Sequence, residues 1–562
     1  MSRTAEPSTH EDGTLNEADA EARRVDTVRD RLARPMPDDR VLGWLGTFFV
    51  GAVAAVLRLW DLGRPHRIVF DETYYVKDAL ALLRFGSERK TVDGADEMLL
   101  SGNVDVFTDE ASFVVHPPAG KWIIGGGIEL LGMDPFGWRF AVALCGVISA
   151  MILVRAGRRL FRSTLLGTLA GLFLAVDGMS IAVSRVAILD GIVTMFIVAA
   201  FACLLVDRDW VRLRYAEWAS GGPDGHSPLA PLFFWRPWRL AAGILLGLAC
   251  ATKWSGLFAL AVFGLLTVAW EVGARKAART QEPWLGAFID GAVAFVTMVG
   301  AAAVTYLASW WGWISGDGGW SRMWAADNAP STLGNLFPDW VRSLWHYHWE
   351  MFNFHDGLDA DHTYESQAWE WLILARPVAI DYAGIEQGEQ GCTATECSQE
   401  ILALGTPPLW WGGCIALLVC LVMWLLRRDW RAGAILAGIA ATWVPWAYFS
   451  AAPLIRFMAE PFTHVPGLDA LVDVLVPSVN RTMFAFYAVA VAPFLVLAVV
   501  YVLGLILGGR DDSPERRTVG AGIVGAYALI VLAIAAMFYP IHVDQVIPKE
   551  QWQDLMWFSS WI

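Results

Sequence analysis

Residues 41–75 read VLGWLGTFFVGAVAAVLRLWDLGRPHRIVFDETYY. From Val41 to Trp60 only Arg58 carries a charge, and roughly twenty apolar residues are what a helix needs to cross a hydrocarbon core about 30 Å thick. Soon after that run come two adjacent carboxylates, Asp71 and Glu72, set between Phe70 and the Tyr74–Tyr75 pair. A membrane span is thus followed by two carboxylates at its surface, placed where acid–base chemistry could be done. The rest of the 562 residues repeats the first half of the pattern, with 56% hydrophobic content and a mean hydropathy of +0.44. Such a chain is too apolar for an ordinary soluble globule. Thirty tryptophans suit a protein with two membrane interfaces. The net charge of −14 resides in particular loops and in the amino-terminal tail, so it does not mark an acidic, solvating protein.

Further apolar runs lie near 136–154, 164–184, 187–206, 239–253, 256–272, 285–311, 408–426, 433–451, 483–507 and 518–539. With the first run these predict an all-α polytopic membrane protein of about eleven transmembrane helices. Short loops rich in Arg and Lys stay in the cytoplasm. The basic clusters are Arg155, Arg158, Arg159 and Arg162; Arg208, Arg212, Arg214 and Arg236; Arg275, Lys276 and Arg279; Arg427, Arg428 and Arg431; and Arg510, Arg516 and Arg517. Eleven spans and a cytoplasmic amino terminus put all of them on the cytoplasmic side, whereas fusing 239–253 with 256–272 misplaces the last three. Two long loops, 61–135 and 312–407, a shorter one at 452–482 and the carboxyl tail then lie outside. Residues 1–40 read as a disordered or weakly helical cytoplasmic tail with no cleavable signal peptide, and 41–562 as one membrane domain. Cys145, Cys203, Cys250, Cys414 and Cys420 sit in apolar runs as small hydrophobes. Cys392 and Cys397 sit in a polar loop, where an external location favours a local disulfide.

Candidate chemistry gathers in the outer loops. Asp71, with Glu72 beside it, suits a general base, because low dielectric and a neighbouring negative charge raise proton affinity. The structural alternative is an Asp N-cap opening a helix. His116-Pro117-Pro118-Ala119-Gly120-Lys121 makes a rigid turn in which His116 and Lys121 face an anionic group or mark a loop-to-helix boundary. Arg139 opens the second span, suited to phosphate or to snorkelling. Asp177, Arg185 and Asp190 are ions within or near spans, where ions tend to be functional; pairing of Arg185 with Asp190 is the structural reading. Lys253, between the fifth and sixth runs, is a phosphate ligand or a topological anchor. The segment from His355 through Asp356, Asp359 and Asp361 to His362 and Tyr364 invites a divalent cation, though no calcium-loop pattern is present. With Trp369, its aromatic and polar mixture also suits a sugar. No Gly-rich phosphate loop, nucleophile elbow or dinucleotide fingerprint occurs in a strand–turn–helix setting, so a phosphorylated donor should arrive through the membrane.

These residues resemble the protein O-mannosyltransferase family of the GT-C superfamily, and its actinobacterial branch most of all. The similarity is carried from about Val41 to Ile562 by Phe70-Asp71-Glu72-Thr73-Tyr74-Tyr75, His116-Pro117-Pro118-x-Gly120-Lys121, Trp138-Arg139, Ser184-Arg185-x-x-x-Leu189-Asp190, Thr252-Lys253-Trp254-x-Gly256-Leu257-Phe258, His355-x-x-Leu358-x-x-x-His362-x-Tyr364-x-Ser366, Arg481-x-x-Phe484-x-Phe486-Tyr487 and Trp557-x-x-x-Trp561-Ile562. The resemblance implies a GT-C-type fold and inverting transfer of mannose from polyprenyl phosphate mannose to Ser or Thr of exported polypeptides, with modification during translocation one option. It makes Asp71 the base, with Glu72 as its catalytic partner, and Arg139, Lys253 and Arg481 the holders of the lipid phosphate. His116, Lys121, His355, His362, Tyr364 and Trp369 are the substrate-binding candidates. The expected partners are the donor, the polypeptide acceptor and membrane lipid, with no nucleic acid. No metal or other cofactor is predicted, and a divalent cation stays an open reading. Eukaryotic members carry a β-trefoil MIR domain in the second large loop, and residues 312–407 are too few to hold one. Residues 453–479 form a longer loop than the family's usual one. Two rival functions are a GT-C enzyme that modifies a lipid or cell-wall glycan, and a transporter; the latter should show paired repeats and ions at the membrane midplane, and no repeat is visible.

Overall fold

A computed structural model describes residues 32–220, 231–359, 361–459, 481–509 and 512–562. Most of the 1–40 tail and the core of the 453–479 segment lie outside them; residues 453–459 belong to a helix.

Each expected apolar run coincides with a helix or a bent helix pair. Proline at the first helical turn, whose missing N–H costs nothing there, opens several of them. They are α1 (Arg40–Leu59), α4 (Pro135–Phe161), α5 (Thr164–Val176) with α6 (Gly178–Ser184), α7 (Leu189–Ser220), α8 (Pro237–Thr252), α9 (Gly256–Ala278), α10 (Pro283–Ser309, with a π-turn at Val296–Gly300), α12 (Pro407–Arg427), α13 (Trp430–Thr442) with α14 (Val444–Ala459), α15 (Ala492–Leu507) and α16 (Pro514–Phe538). Among the described residues seven helices are long and apolar enough to span, or nine if each bent pair counts as one; α8 and α15, at 16 residues each, are shorter. Central helix α4 packs against α1, α5 and α7, and α8 lies between α7 and α10. Arg162, Arg279 and Arg428 cap α4, α9 and α12 in the left-handed conformation, where a cation complements the helix dipole.

The break between α5 and α6 has a local cause. Asp177 caps α6 through Ser180 N at 3.0 Å and also accepts Thr406 N at 3.0 Å and Trp410 Nε1 at 2.8 Å. A buried carboxylate is thereby satisfied, and the bend of 59° is pinned to the start of α12.

Several arginines read as loop anchors are buried. Arg236 bonds Asp207, Glu271 and Asp290, Arg239 bonds Asp290, and Arg275 bonds Glu271. All six are at most 4% exposed. Arg275 and Glu271 are one turn apart on α9, but the partners of Arg236 and Arg239 come from α7, α9 and α10, so sequence-local reasoning could not pair those two. Arg208 lies over Trp430, 3.3 Å from the ring centroid.

Opposite that network the long loops form a folded cap. Residues 61–135 supply α2 (Glu72–Phe85), a ribbon of β1 (Arg89–Thr91) and β2 (Phe107–Ala111), and α3 (Ala119–Leu131). Residues 312–407 supply α11 (Asp339–Asp356) and the antiparallel pair β3 (Val378–Glu386) and β4 (Glu396–Ala403); β5 (Ile547–Pro548), from beyond the last long helix, adds to β4. Cys392 and Cys397 are joined by a disulfide that closes the β3–β4 turn. The loops touch where Gly86, at φ +73°, meets Gly312, and a Cβ on Gly312 would lie 2.1 Å from the Gly86 carbonyl oxygen. Arg67 also bonds Asp381 from the first loop to the second.

Candidate active site

Phe70, directly before the acidic pair, has φ +50°. A bulky residue seldom adopts this left-handed conformation. Here its ring is held edge-on by Phe486, with centroids 5.5 Å apart. The turn leaves Asp71 at the N-cap position of α2 with no side-chain capping bond, so the helix-cap reading does not account for its carboxylate. Tyr75, one turn on, stands against it. Burial raises the proton affinity of Asp71 to a pKa of about 6, Lys253 opposes the shift and Asp190 adds to it.

Glu72 faces the other way. It is 0% exposed and bonds Arg139 through both oxygens, at 2.7 and 2.9 Å. It also accepts Val69 N at 3.1 Å and Ala187 N at 2.9 Å. Arg139 spends its remaining donors on the carbonyls of Leu62, Pro65 and Arg67. Two expectations change accordingly. Glu72 is a buried clamp and not a second reacting carboxylate, and Arg139 closes the 62–72 loop with no donor left for a phosphate. Lys121 is likewise 0% exposed and held by Glu88, with Asp78 at 3.5 Å, so it ties α3 to α2 and faces no open space.

Lys253 terminates α8 at the same pocket as Asp71. Its Nζ bonds both Asp190 oxygens, at 2.9 and 3.0 Å, and lies 4.1 Å from the Tyr487 ring centroid. Arg185, the expected partner of Asp190, instead donates to the carbonyls of Arg58, Trp60 and Asp61. A narrow cavity lined by Asp190, Ser255, Thr442, Trp446 and Tyr487 runs on from this pair. Arg481 donates to the His355 carbonyl at 2.7 Å, while its buried Nε has no protein partner among the described residues. The Nδ1 atoms of His116 and His355 are also buried and unpartnered, and the two rings lie 5.3 Å apart. Burial holds both imidazoles neutral, His355 at about 4, with Lys253 and Arg481 pushing the same way. Three nitrogens without partners among the described residues, on side chains that run from Tyr75 through His116 and His355 to Arg481, mark a place for a polar ligand.

The other substrate-binding candidates stand apart. His362 packs edge-on against Phe484 at 5.0 Å and sits near Tyr364, over which Arg376 lies. Trp369 is 49% exposed. Among the described residues no hydrogen bond or ion pair links any of the three to Asp71, Lys253 or Asp190. Tyr487 and Asp190 are the pocket residues that had no assigned role; Asp190 was signalled as an ion near a span and by its motif, Tyr487 only by its place in a quoted motif. Among the described residues no three His, Cys, Asp or Glu side chains converge as a metal-ligand set.

Over 540 residues, 94% of this chain and 95% of the relative, the sequence is 37% identical to the polyprenol-phosphate-mannose–protein mannosyltransferase of Mycolicibacterium smegmatis. The chain belongs to the protein O-mannosyltransferase family. The model of the dolichyl-phosphate-mannose-protein mannosyltransferase family matches residues 48–310, and that of the carboxyl-terminal four-helix region of protein O-mannosyltransferase matches 340–463. This protein O-mannosyltransferase is also 35% identical over 537 residues to the like-named protein of Mycobacterium tuberculosis, covering 93% of each. Its fold is GT-C-type: a chain of the Saccharomyces cerevisiae Pmt1–Pmt2 complex bound to the sugar donor superposes with a TM-score of 0.67 at 14% identity, covering 96% of this chain and 94% of that one. Membership makes the protein a membrane glycosyltransferase.

Proposed function

We propose that this chain transfers mannose from polyprenyl phosphate mannose to Ser or Thr hydroxyls of exported polypeptides at the outer face of the plasma membrane, with inversion. The observation that carries the reading is the uncapped, half-buried Asp71 beside the Lys253–Asp190 ion pair, with Arg481 bonded to the neighbouring His355 carbonyl. Asp71 takes the acceptor proton as the hydroxyl oxygen attacks the anomeric carbon. The bond from that carbon to the phosphate oxygen breaks on the opposite face. Negative charge then grows on the phosphate, where Lys253 and Arg481, whose Nε has no partner among the described residues, stabilise it. The unpartnered His116 and His355 nitrogens are suited to hold sugar hydroxyls.

The topology is part of the proposal. Arg67 on the first external loop bonds Asp381 on the second, and β5 pairs with β4. Both loops and the carboxyl-terminal segment therefore share one side, which requires an even number of crossings between each. Counting each bent pair once, six helices separate the two loops and four separate the second loop from β5. With α1 this favours eleven crossings, a cytoplasmic amino terminus and an external carboxyl terminus.

The test is incubation of membranes with radiolabelled polyprenyl phosphate mannose, offering a Ser/Thr-rich peptide and a glycolipid side by side, with and without chelator. Label on the peptide is expected. Label on the glycolipid alone would overturn the acceptor assignment, and loss with chelator would introduce a divalent cation.

A further inference from the structure

The ion pair between Lys253 and Asp190 has a role that phosphate binding by Lys253 leaves unexplained. A counter-ion keeps a buried ammonium charged until an anion arrives from the membrane, but phosphate binding alone does not say why that counter-ion is Asp190 when Asp71 is also at hand. Here Asp190 is 8% exposed, Lys253 is 6% exposed, and the contact is to both oxygens. The backbone just before Asp190 is also fixed from the base side, because Ala187 N donates to Glu72, the neighbour of Asp71. Lys253 forms its ion pair with Asp190 and not with Asp71.

We propose that Asp190 is a positioning residue that shields Asp71 from the Lys253 ammonium, so that the base keeps the proton affinity needed to take the acceptor proton. The proposal rests on the assignment of Asp71 as base. Without Asp190, the nearest cation would draw Asp71 into its own ion pair, leaving it a weaker base, and Lys253 would meet the donor phosphate with no carboxylate to displace.

The charges around Asp71 can be enumerated. Lys253 at the end of α8 and Asp190 at the start of α7 act on it directly, as does Tyr75 on α2 itself. Tyr487 faces the pocket from the 485–490 turn, and burial raises the pKa of both phenols, so they stay protonated. His116 before α3 and His355 on α11 are kept neutral, and Arg481 keeps its charge. Asp78, further along α2, is also raised to about 6 by burial, but it faces Lys121 and Glu88 and not the Lys253–Asp190 pair, so the Asp71→Asn control separates its titration from that of the base. Asp71 is thus the pocket group expected to titrate near pH 6.

The experiment records kcat/KM against pH from about 5 to 8 for the parent, Asp190→Asn, Asp190→Glu and the double variant Asp190→Asn/Lys253→Met, with thermal unfolding of each. In Asp190→Asn the acid limb should move to lower pH by roughly one unit. Its plateau should fall about tenfold, while the donor KM does not rise. Asp190→Glu should return the limb, and the double variant should lose the shift. An acid limb left at the parental pH in Asp190→Asn, with loss that merely follows folded protein, would overturn the proposal. A parental acid limb that persists in Asp71→Asn would instead remove the base assignment, and this inference with it.

Discussion

Asp71→Asn keeps the size of the side chain and removes the base, so transfer should fall by about 10²- to 10⁴-fold while the protein stays folded. In the parent, kcat/KM should rise with pH through about 6 and then level, because a protonated carboxyl cannot accept the acceptor proton and burial has lifted Asp71 to that value. Radiolabel transfer across a pH series checks both statements, and an acid limb near the usual carboxylate range would contradict the second. Glu72→Gln is expected to fail differently. It leaves Arg139 buried without its counter-ion, a change that typically costs about 3–5 kcal/mol, so the unfolding midpoint in detergent should drop, whereas that of Asp71→Asn should not. Asp71 could be named a candidate base, beside the helix-cap reading, because apolar flanks and an adjacent acid are local features. The roles of Glu72, Arg139 and Lys121 were not legible, because their partners, Ala187, the carbonyls of 62–67 and Glu88, reach them only through the fold.

At the scale of elements, α8 is the piece that places Lys253. It begins at Arg236 in the buried network and ends at the pocket, and a helix of this length is a stiff rod. Arg236→Leu strands Asp207 and burdens Glu271 and Asp290. The expectation is a loss of about 3–5 kcal/mol, seen as a lower unfolding midpoint. Partial rescue is expected from Arg236→Leu/Asp207→Leu, which removes both partners. Equal midpoints for single and double variants would show that the pair carries no such weight. The helices themselves were legible from apolar runs of spanning length, and so was the division of 239–253 from 256–272. The bends were not. Asp177 reads in sequence as an isolated intramembrane ion, and only Thr406 and Trp410, from a distant helix, explain why the chain turns there.

For the molecule as a whole, the prediction concerns sidedness. Thiols introduced near Gly316 and Asp554 should react with an impermeant reagent in intact cells, and one near Gly509 should not; the reverse pattern would invert the protein. Loop charge and the shared cap argue for the same arrangement by independent routes. The cap itself was only half legible: the disulfide could be anticipated from two cysteines in a polar segment, but the sheet could not, since β5 is two residues long and pairs across some 150 residues of chain. That pairing bears on how the protein is made. A strand supplied after the last long helix can dock on β4 only once that helix has been synthesised, so the sheet of the cap is completed late in biogenesis. Chains stalled before Ile547 would hold a fully inserted bundle with an open β4 edge, a state that export-side proteases should distinguish from the finished enzyme.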